Sequence, residues 1–383
     1  MRLTRFALAA ALGAGLSSGT PVPATAADDP GLASFQINTD GAMGSSPDAD
    51  MNALTSAIEA DVQQVHYTDS NIYVETTGVP SYPTGAFPDG NPSYASDLAA
   101  IYSIPRNPEA SSATEDTALG AIGVFVNGVA IFNPEDGRTY QNQNVWHQNA
   151  IVVEADGFDD CNGHPAPLGG GGPPPGPGGG LVAGIYHHHM DPVCLLAQLG
   201  EDAIGHSGIA GWSFDGYPVY GPWGYADPED ASSAIVRIDS SYQERAITTR
   251  TTLPGGTALA APFYGPNVSS IYPLGYFMED FEYIEGLGHL DEHNGRFAVT
   301  PEYPSGIYAY YVTIDDQNDA AYPYFVGAQY YGVPSGGAVA SIPAEAVVFV
   351  PEAAAVPMSI AAQMTLGAIL ALTGLRRQRR PAA

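Results

Sequence analysis

Between residues 60 and 333 the chain runs in short apolar stretches, each broken by Gly, Pro, Asn or Asp. Stretches of that kind, rich in Val, Ile, Tyr and Phe, predict strands rather than helices. The sharpest signal is Val124-Phe125-Val126, then Asn127-Gly128, then Val129-Ala130-Ile131-Phe132. An Asn-Gly pair between apolar runs predicts a hairpin with a type I′ turn, in which both central residues take positive φ. Further strands are expected at 72–75, 150–154, 182–189, 307–314 and 324–331, and one short helix at 193–199. No long amphipathic helix is present to connect parallel strands, so the pattern predicts a mainly β fold. It would be a single sandwich- or barrel-like domain with long Gly/Pro-rich loops and few short helices. Residues 27–59 read as a loose lead-in and 334–357 as a linker. The run LGGGGPPPGPGGG at 168–180 reads as a flexible surface insertion, because Gly and Pro supply no core.

The ends follow a different pattern. Arg2 and Arg5 precede an apolar run that closes on Ala24-Thr25-Ala26, small residues at the positions a signal peptidase reads, so 1–26 is expected to be an export signal. Residues 358–375 form an uncharged stretch long enough to cross a hydrocarbon core, and the Arg-rich tail 376–383 after it would stay cytoplasmic. With Val356-Pro357-Met358-Ser359 in front, this end resembles the tripartite PEP and IPTL sorting signals of Gram-negative bacteria. That resemblance implies a sorting protease as a partner, and a body either tethered to the membrane or released. The expected location is the periplasm or cell surface.

Charge narrows the partners. The chain has 383 residues, with 41 Asp plus Glu against 12 bases, all of them Arg, and a formal net charge of −29. Half of those Arg lie in the two terminal signals, so the body is more acidic still. Such a field repels phosphate backbones and anionic headgroups, which excludes nucleic acid and leaves cations, a small molecule, a glycan or an envelope protein. Acidic loops at 155–160 and 314–319 could take Ca²⁺, although neither has EF-hand spacing.

The candidate chemistry lies in the histidines. In Tyr186-His187-His188-His189, strand geometry sends His187 and His189 to one face and His188 to the other. Two imidazoles in an H-x-H pair suit one transition metal, Zn or Cu. His164 is the candidate third ligand, with His206 or His293 completing the set. Asp215, Asp291 and Glu292 are candidates to orient an imidazole or to act as acid or base; Asp215 and Glu292 are the catalytic candidates. Cys161 and Cys194 flank the region. In an exported chain they would pair as a disulfide; the alternative makes Cys161 a thiolate ligand with His164, His187 and Met190, a blue-copper-like set. Gly205-His206-Ser207-Gly208 nearly matches a serine-hydrolase elbow, but Ile209 replaces the closing Gly and no helix pattern follows.

Several separated motifs carry a resemblance. Gly163-His164-Pro165, Tyr186-His187-His188-His189 with Pro192-Val193-Cys194-Leu195, the run from Gly211 to Pro222, Leu290 to Phe297, and Gly306-Ile307-Tyr308-Ala309-Tyr310-Tyr311 occur in order. Over residues 66 to 332 the chain resembles the YHYH-domain family of bacterial exported proteins. It departs at the third letter of the naming motif, where His188 stands for Tyr on the face away from His187 and His189. The resemblance implies export but no reaction. Two functional readings therefore stand: a metal-binding envelope protein, as a metal-dependent enzyme or not, and a non-catalytic surface module whose Trp212, Trp223 and neighbouring Tyr residues contact glycan or protein.

Overall fold

The computed structural model describes residues 29–47, 53–85, 87, 89, 93–168 and 182–351. The elements that build the core and the site are β1 (Val62–Tyr67), β2 (Asn71–Thr76), β3 (Ser93–Ala95), β4 (Ala100–Pro105), β5 (Ala121–Phe125), β6 (Ala130–Phe132), helix α1 (Ala150–Val153), β7 (His164–Pro167), β8 (Val182–His188), helix α2 (Val193–Leu199), β9 (Ile209–Ser213), β10 (Pro218–Tyr220), β11 (Gly295–Ala298) and β12 (Ile307–Tyr311). A nine-stranded sheet runs β7-β8-β6-β5-β9-β10-β12-β11, with β3 pairing parallel to the first half of β8. Its end strands do not meet, so the sheet is open rather than a barrel. A five-stranded sheet runs Gly337–Ala338, β4, β2, β1, Val347–Val348.

One hydrophobic core joins them. Val65, Val74 and Ile104 of the smaller sheet lie with Ile122, Val124, Trp212 and Val219 of the larger, all buried. The fold is therefore mainly β, as the apolar runs predicted. Strand β2 and helix α2 fall where the sequence put them, and the 307–314 run contributes β12.

Four expectations change. The Asn-Gly hairpin forms, but of its two central residues only Gly128 has positive φ, at 82°. The Val126 N–H donates to the Ala210 carbonyl on β9, and the Gly128 N–H closes back on the Phe125 carbonyl at 2.8 Å. The loop is thus a three-residue turn with Gly in the left-handed position, not a type I′ pair. The Ile-Val-Val run at 150–154 is a single helical turn rather than a strand, because Asn149 caps it through its side-chain oxygen and the Ile151 N–H. Ladder pairing in 324–331 is confined to Gln329–Gly332, since Tyr324 sits at a φ of 75° that a strand does not accommodate.

The fourth change concerns the flanks. Leu32 and Phe35, in the segment expected to be loose, are buried in the core, and the indole N–H of Trp212 donates to the Ser34 hydroxyl at 3.0 Å. Residues of the expected linker supply both edge strands of the smaller sheet. Apolar spacing there was too sparse to reveal this. The segments 1–26 and 358–375 and most of the 168–180 insertion lie outside the described residues. Among the described residues no helix is long and apolar enough to cross a membrane.

Gly128 holds the two sheets at contact distance. A Cβ there would sit 2.1 Å from the Thr76 hydroxyl oxygen and 2.7 Å from its Cβ, on a backbone already left-handed. Gly128→Ala is expected to lower unfolding free energy by about 2–4 kcal/mol, combining left-handed strain with overpacking. Urea unfolding checks it, as a fall in midpoint without change in slope.

Candidate metal centre

A short strand and a tight turn bring three imidazoles together. Residues 159–163 form the turn into β7. The Asp159 Oδ1 atom accepts the Cys161 and Gly163 N–H groups at 2.9 and 3.0 Å, and its Oδ2 accepts the Gly85 N–H and the Tyr186 hydroxyl. Gly163 is required by close approach, since a Cβ there would lie 2.2 Å from the Tyr186 oxygen. The turn delivers His164 directly opposite His187 in the antiparallel β7–β8 pair. Cys161 and Cys194 form a disulfide. It ties the turn before His164 to the first turn of α2, just after His189, and excludes the thiolate-ligand alternative. Closing 33 residues contributes about 3–4 kcal/mol in the chain-entropy picture.

His164, His187 and His189 are all buried, and one nitrogen of each lies within 4.8 Å of the others. The Nε2 of His187 is 3.0 Å from that of His164 and 3.0 Å from that of His189. The opposite ring atoms are taken: Nδ1–H of His187 donates to the Ile185 carbonyl at 2.9 Å, and Nδ1–H of His189 to the Asn133 carbonyl at 2.5 Å. A carbonyl only accepts, so each Nδ1 carries the proton and each neutral ring presents an Nε2 lone pair to the common centre. Burial keeps all three rings neutral by disfavouring a second proton on any of them. It pushes His164 down to about 4 and His189 to about 3, and holds His187 well below its ordinary range. Lone pairs facing at such distances suit a bound cation, and the group could hold a metal ion. Phe132 stacks on the His187 ring, centroids 3.8 Å apart, and fixes its plane.

The group forms part of the wall of a pocket of about 570 Å³, lined also by Phe132, Val153 and Pro165 and by the carboxylates Asp89, Glu135, Asp136 and Glu154. Glu154, at the end of α1, escaped the sequence reading. Its Oε2 lies 3.2 Å from His164 Nε2 and 3.6 Å from His189 Nε2. Nothing in sequence spacing ties it to the histidines: the apolar run before it predicts a strand, and only the helical turn brings it here.

The other candidates sit elsewhere. His206 bonds the Ser207 carbonyl through Nδ1 at 2.7 Å, with its ring against Tyr220 and Tyr225. His293 faces Tyr331 and the Gln329 carbonyl. Neither joins the three-imidazole group. Asp215 is fully buried and accepts the Tyr310 hydroxyl at 2.6 Å and the Gly332 N–H at 2.9 Å, a strut of the core. Asp291 accepts the Tyr308 hydroxyl, and Glu292 lines a separate cleft with Tyr242 and Tyr322. Ser207 is buried; its hydroxyl donates to Glu201 and accepts the Trp223 N–H, so it is not paired with His206 as a nucleophile would be with its base. In the acidic loops, Asp315 Oδ1 accepts the Gln317 and Asp319 N–H groups, Asp316 pairs with Arg237, and Asp159 serves the turn described above.

His188 points the other way, as strand alternation predicts. Its Nδ1–H donates to the Asn162 carbonyl at 2.8 Å, its Nε2 accepts the Tyr82 hydroxyl at 2.9 Å, and its ring meets Phe125 edge-on.

A family model described as YHYH protein matches residues 101–172 and 176–325, and the chain belongs to that family. No curated protein and no solved structure matches it.

Because His188 belongs to the core rather than to the metal face, Tyr82→Phe is expected to leave its Nε2 buried and unpaired, lowering stability by about 1–3 kcal/mol. Bound metal per chain should not change. Denaturant unfolding beside elemental analysis checks both parts.

Proposed function

We propose that this YHYH-family chain is an exported protein that holds a transition metal, Zn or Cu, at His164, His187 and His189, and that the ion serves a small molecule in the adjoining pocket. The observation that carries the reading is the set of three Nε2 atoms converging on His187 at 3.0 Å, with two of the three rings oriented by backbone carbonyls so that their Nε2 lone pairs face inward. Neutral imidazole is the form that ligates, and burial keeps it neutral. Bound there, the metal would supply Lewis-acid chemistry. The pocket's carboxylates disfavour anions, so the fitting substrate class is neutral or cationic. The disulfide supports an oxidising compartment.

Carbonyl bonds to individual rings would also suit histidines with a purely structural role. In His187 and His189 they fall on Nδ1 and leave Nε2 free, which is how outer partners orient metal ligands. The surface-module reading loses a contact residue, because Trp212 is buried in the core.

Elemental analysis of the purified protein is expected to find about one Zn or Cu per chain, lost in His187→Ala and in His189→Ala while Tyr82→Phe keeps it. Equal metal content in wild type and both histidine variants would sink the assignment.

A further inference from the structure

The three imidazoles are not the whole donor set. Four atoms close a ring: His187 Nε2 to His164 Nε2 at 3.0 Å, on to Glu154 Oε2 at 3.2 Å, to His189 Nε2 at 3.6 Å, and back to His187 Nε2 at 3.0 Å. Ligand atoms sharing one ion at bond lengths of about 2.0–2.1 Å lie about 3.4 Å apart in a tetrahedron and about 3.0 Å apart at neighbouring octahedral positions. Three of the four edges, the two imidazole ones and Glu154 to His164, fall in that range, and the fourth, Glu154 to His189 at 3.6 Å, lies 0.2 Å above it.

The carboxylate is also held for such a role. Glu154 sits where α1 ends, so its backbone is fixed by a capped turn whose last N–H returns to the Ala150 carbonyl at 2.9 Å. Asp136, from the segment after β6, hydrogen-bonds to the Glu154 carboxyl group. The Oε2 atom is buried and has no hydrogen-bond partner of its own, although a buried carboxylate oxygen ordinarily finds one. An oxygen whose near contacts are two imidazole nitrogens, at 3.2 and 3.6 Å, stands where a cation shared with them would be held.

We propose that Glu154 ligates the same ion through Oε2, completing an N₃O donor set with His164, His187 and His189, and that Asp136 positions it. The inference rests on the three-histidine reading and extends it. A carboxylate makes the site harder than three imidazoles alone. It also cancels one charge of a divalent ion, which lowers the cost of burying it.

Co²⁺ reports the donor set by its visible absorption. The full chain, stripped with chelator, is titrated with Co²⁺ as wild type, Glu154→Gln, Asp136→Asn and His187→Ala, with circular dichroism showing each to be folded. Glu154→Gln keeps the shape of the side chain and removes its charge. It should bind Co²⁺ at least about 10-fold more weakly, the lower end of what loss even of an outer partner costs, with a shifted visible band. Asp136→Asn should weaken binding less and leave the band in place. If Glu154→Gln matches wild type in both affinity and band, Glu154 is not a ligand while the histidine site stands. Should wild type take up no Co²⁺, or His187→Ala take it up as well as wild type, the three-histidine reading falls and this one with it.

Discussion

Facing lone pairs are the constraint around which this region is organised. His187 and His189 carry their protons on Nδ1, so their Nε2 lone pairs face each other at 3.0 Å and repel unless a positive charge lies between them, while His164 Nε2 stands 3.0 Å from the same His187 atom. Rings free to turn would relieve the repulsion by flipping. His187 and His189 are not free, because each Nδ1–H is tied to a backbone carbonyl and Phe132 covers the His187 ring. The sheet, the turn and the disulfide all act to keep the nitrogens converged. Such preorganisation is what a site costs in apo stability and gains in affinity when an ion arrives.

Strand alternation divides the naming motif into two jobs. Tyr186 and His188 point into the core side, where they meet Asp159, Tyr82 and the Asn162 carbonyl. His187 points the other way, toward the imidazole group, and His189 joins it just past the end of β8. Polar pairing on the core side anchors the strand that presents His187 to the imidazole group. Asn162 also donates to the carbonyl and side chain of Asp191, so the turn before His164 is fastened to the segment after His189 by hydrogen bonds as well as by the Cys161–Cys194 bond. At position 188 the imidazole finds both a donor, the Tyr82 hydroxyl, and an acceptor, the Asn162 carbonyl.

What could be read from sequence was whatever depends on near neighbours. The His187/His189 pair follows from the two-residue period of a strand, α2 from a short apolar run before Gly200, and the 121–132 hairpin from its turn residues. The turn type was missed because Val126 bonds across to Ala210, a partner distant in sequence. Helix α1 was missed because three β-branched or aliphatic residues suggest a strand, whereas the Asn149 cap, itself held by the Gly275 carbonyl and the Tyr324 hydroxyl, imposes a turn. Glu154 was lost with it. His206 and His293 shared the residue type of the true cluster, but convergence is a tertiary property and spacing could not separate them from His164.

The acidity of the chain and the chemistry of the pocket point in one direction. A net charge of −29 with no Lys leaves few side chains able to neutralise carboxylates, and Glu154 and Asp136 both have pKa values raised above the ordinary carboxylate range, chiefly by burial. A group so placed is stabilised by any cation that reaches it, and the surrounding field draws cations in while turning anions away. Histidines supply the directional donors and the carboxylates supply charge. Neither alone accounts for why four donor atoms, from a turn-fed strand, a central strand, its trailing residue and a one-turn helix, lie so close together; the cation proposed above would account for all of them.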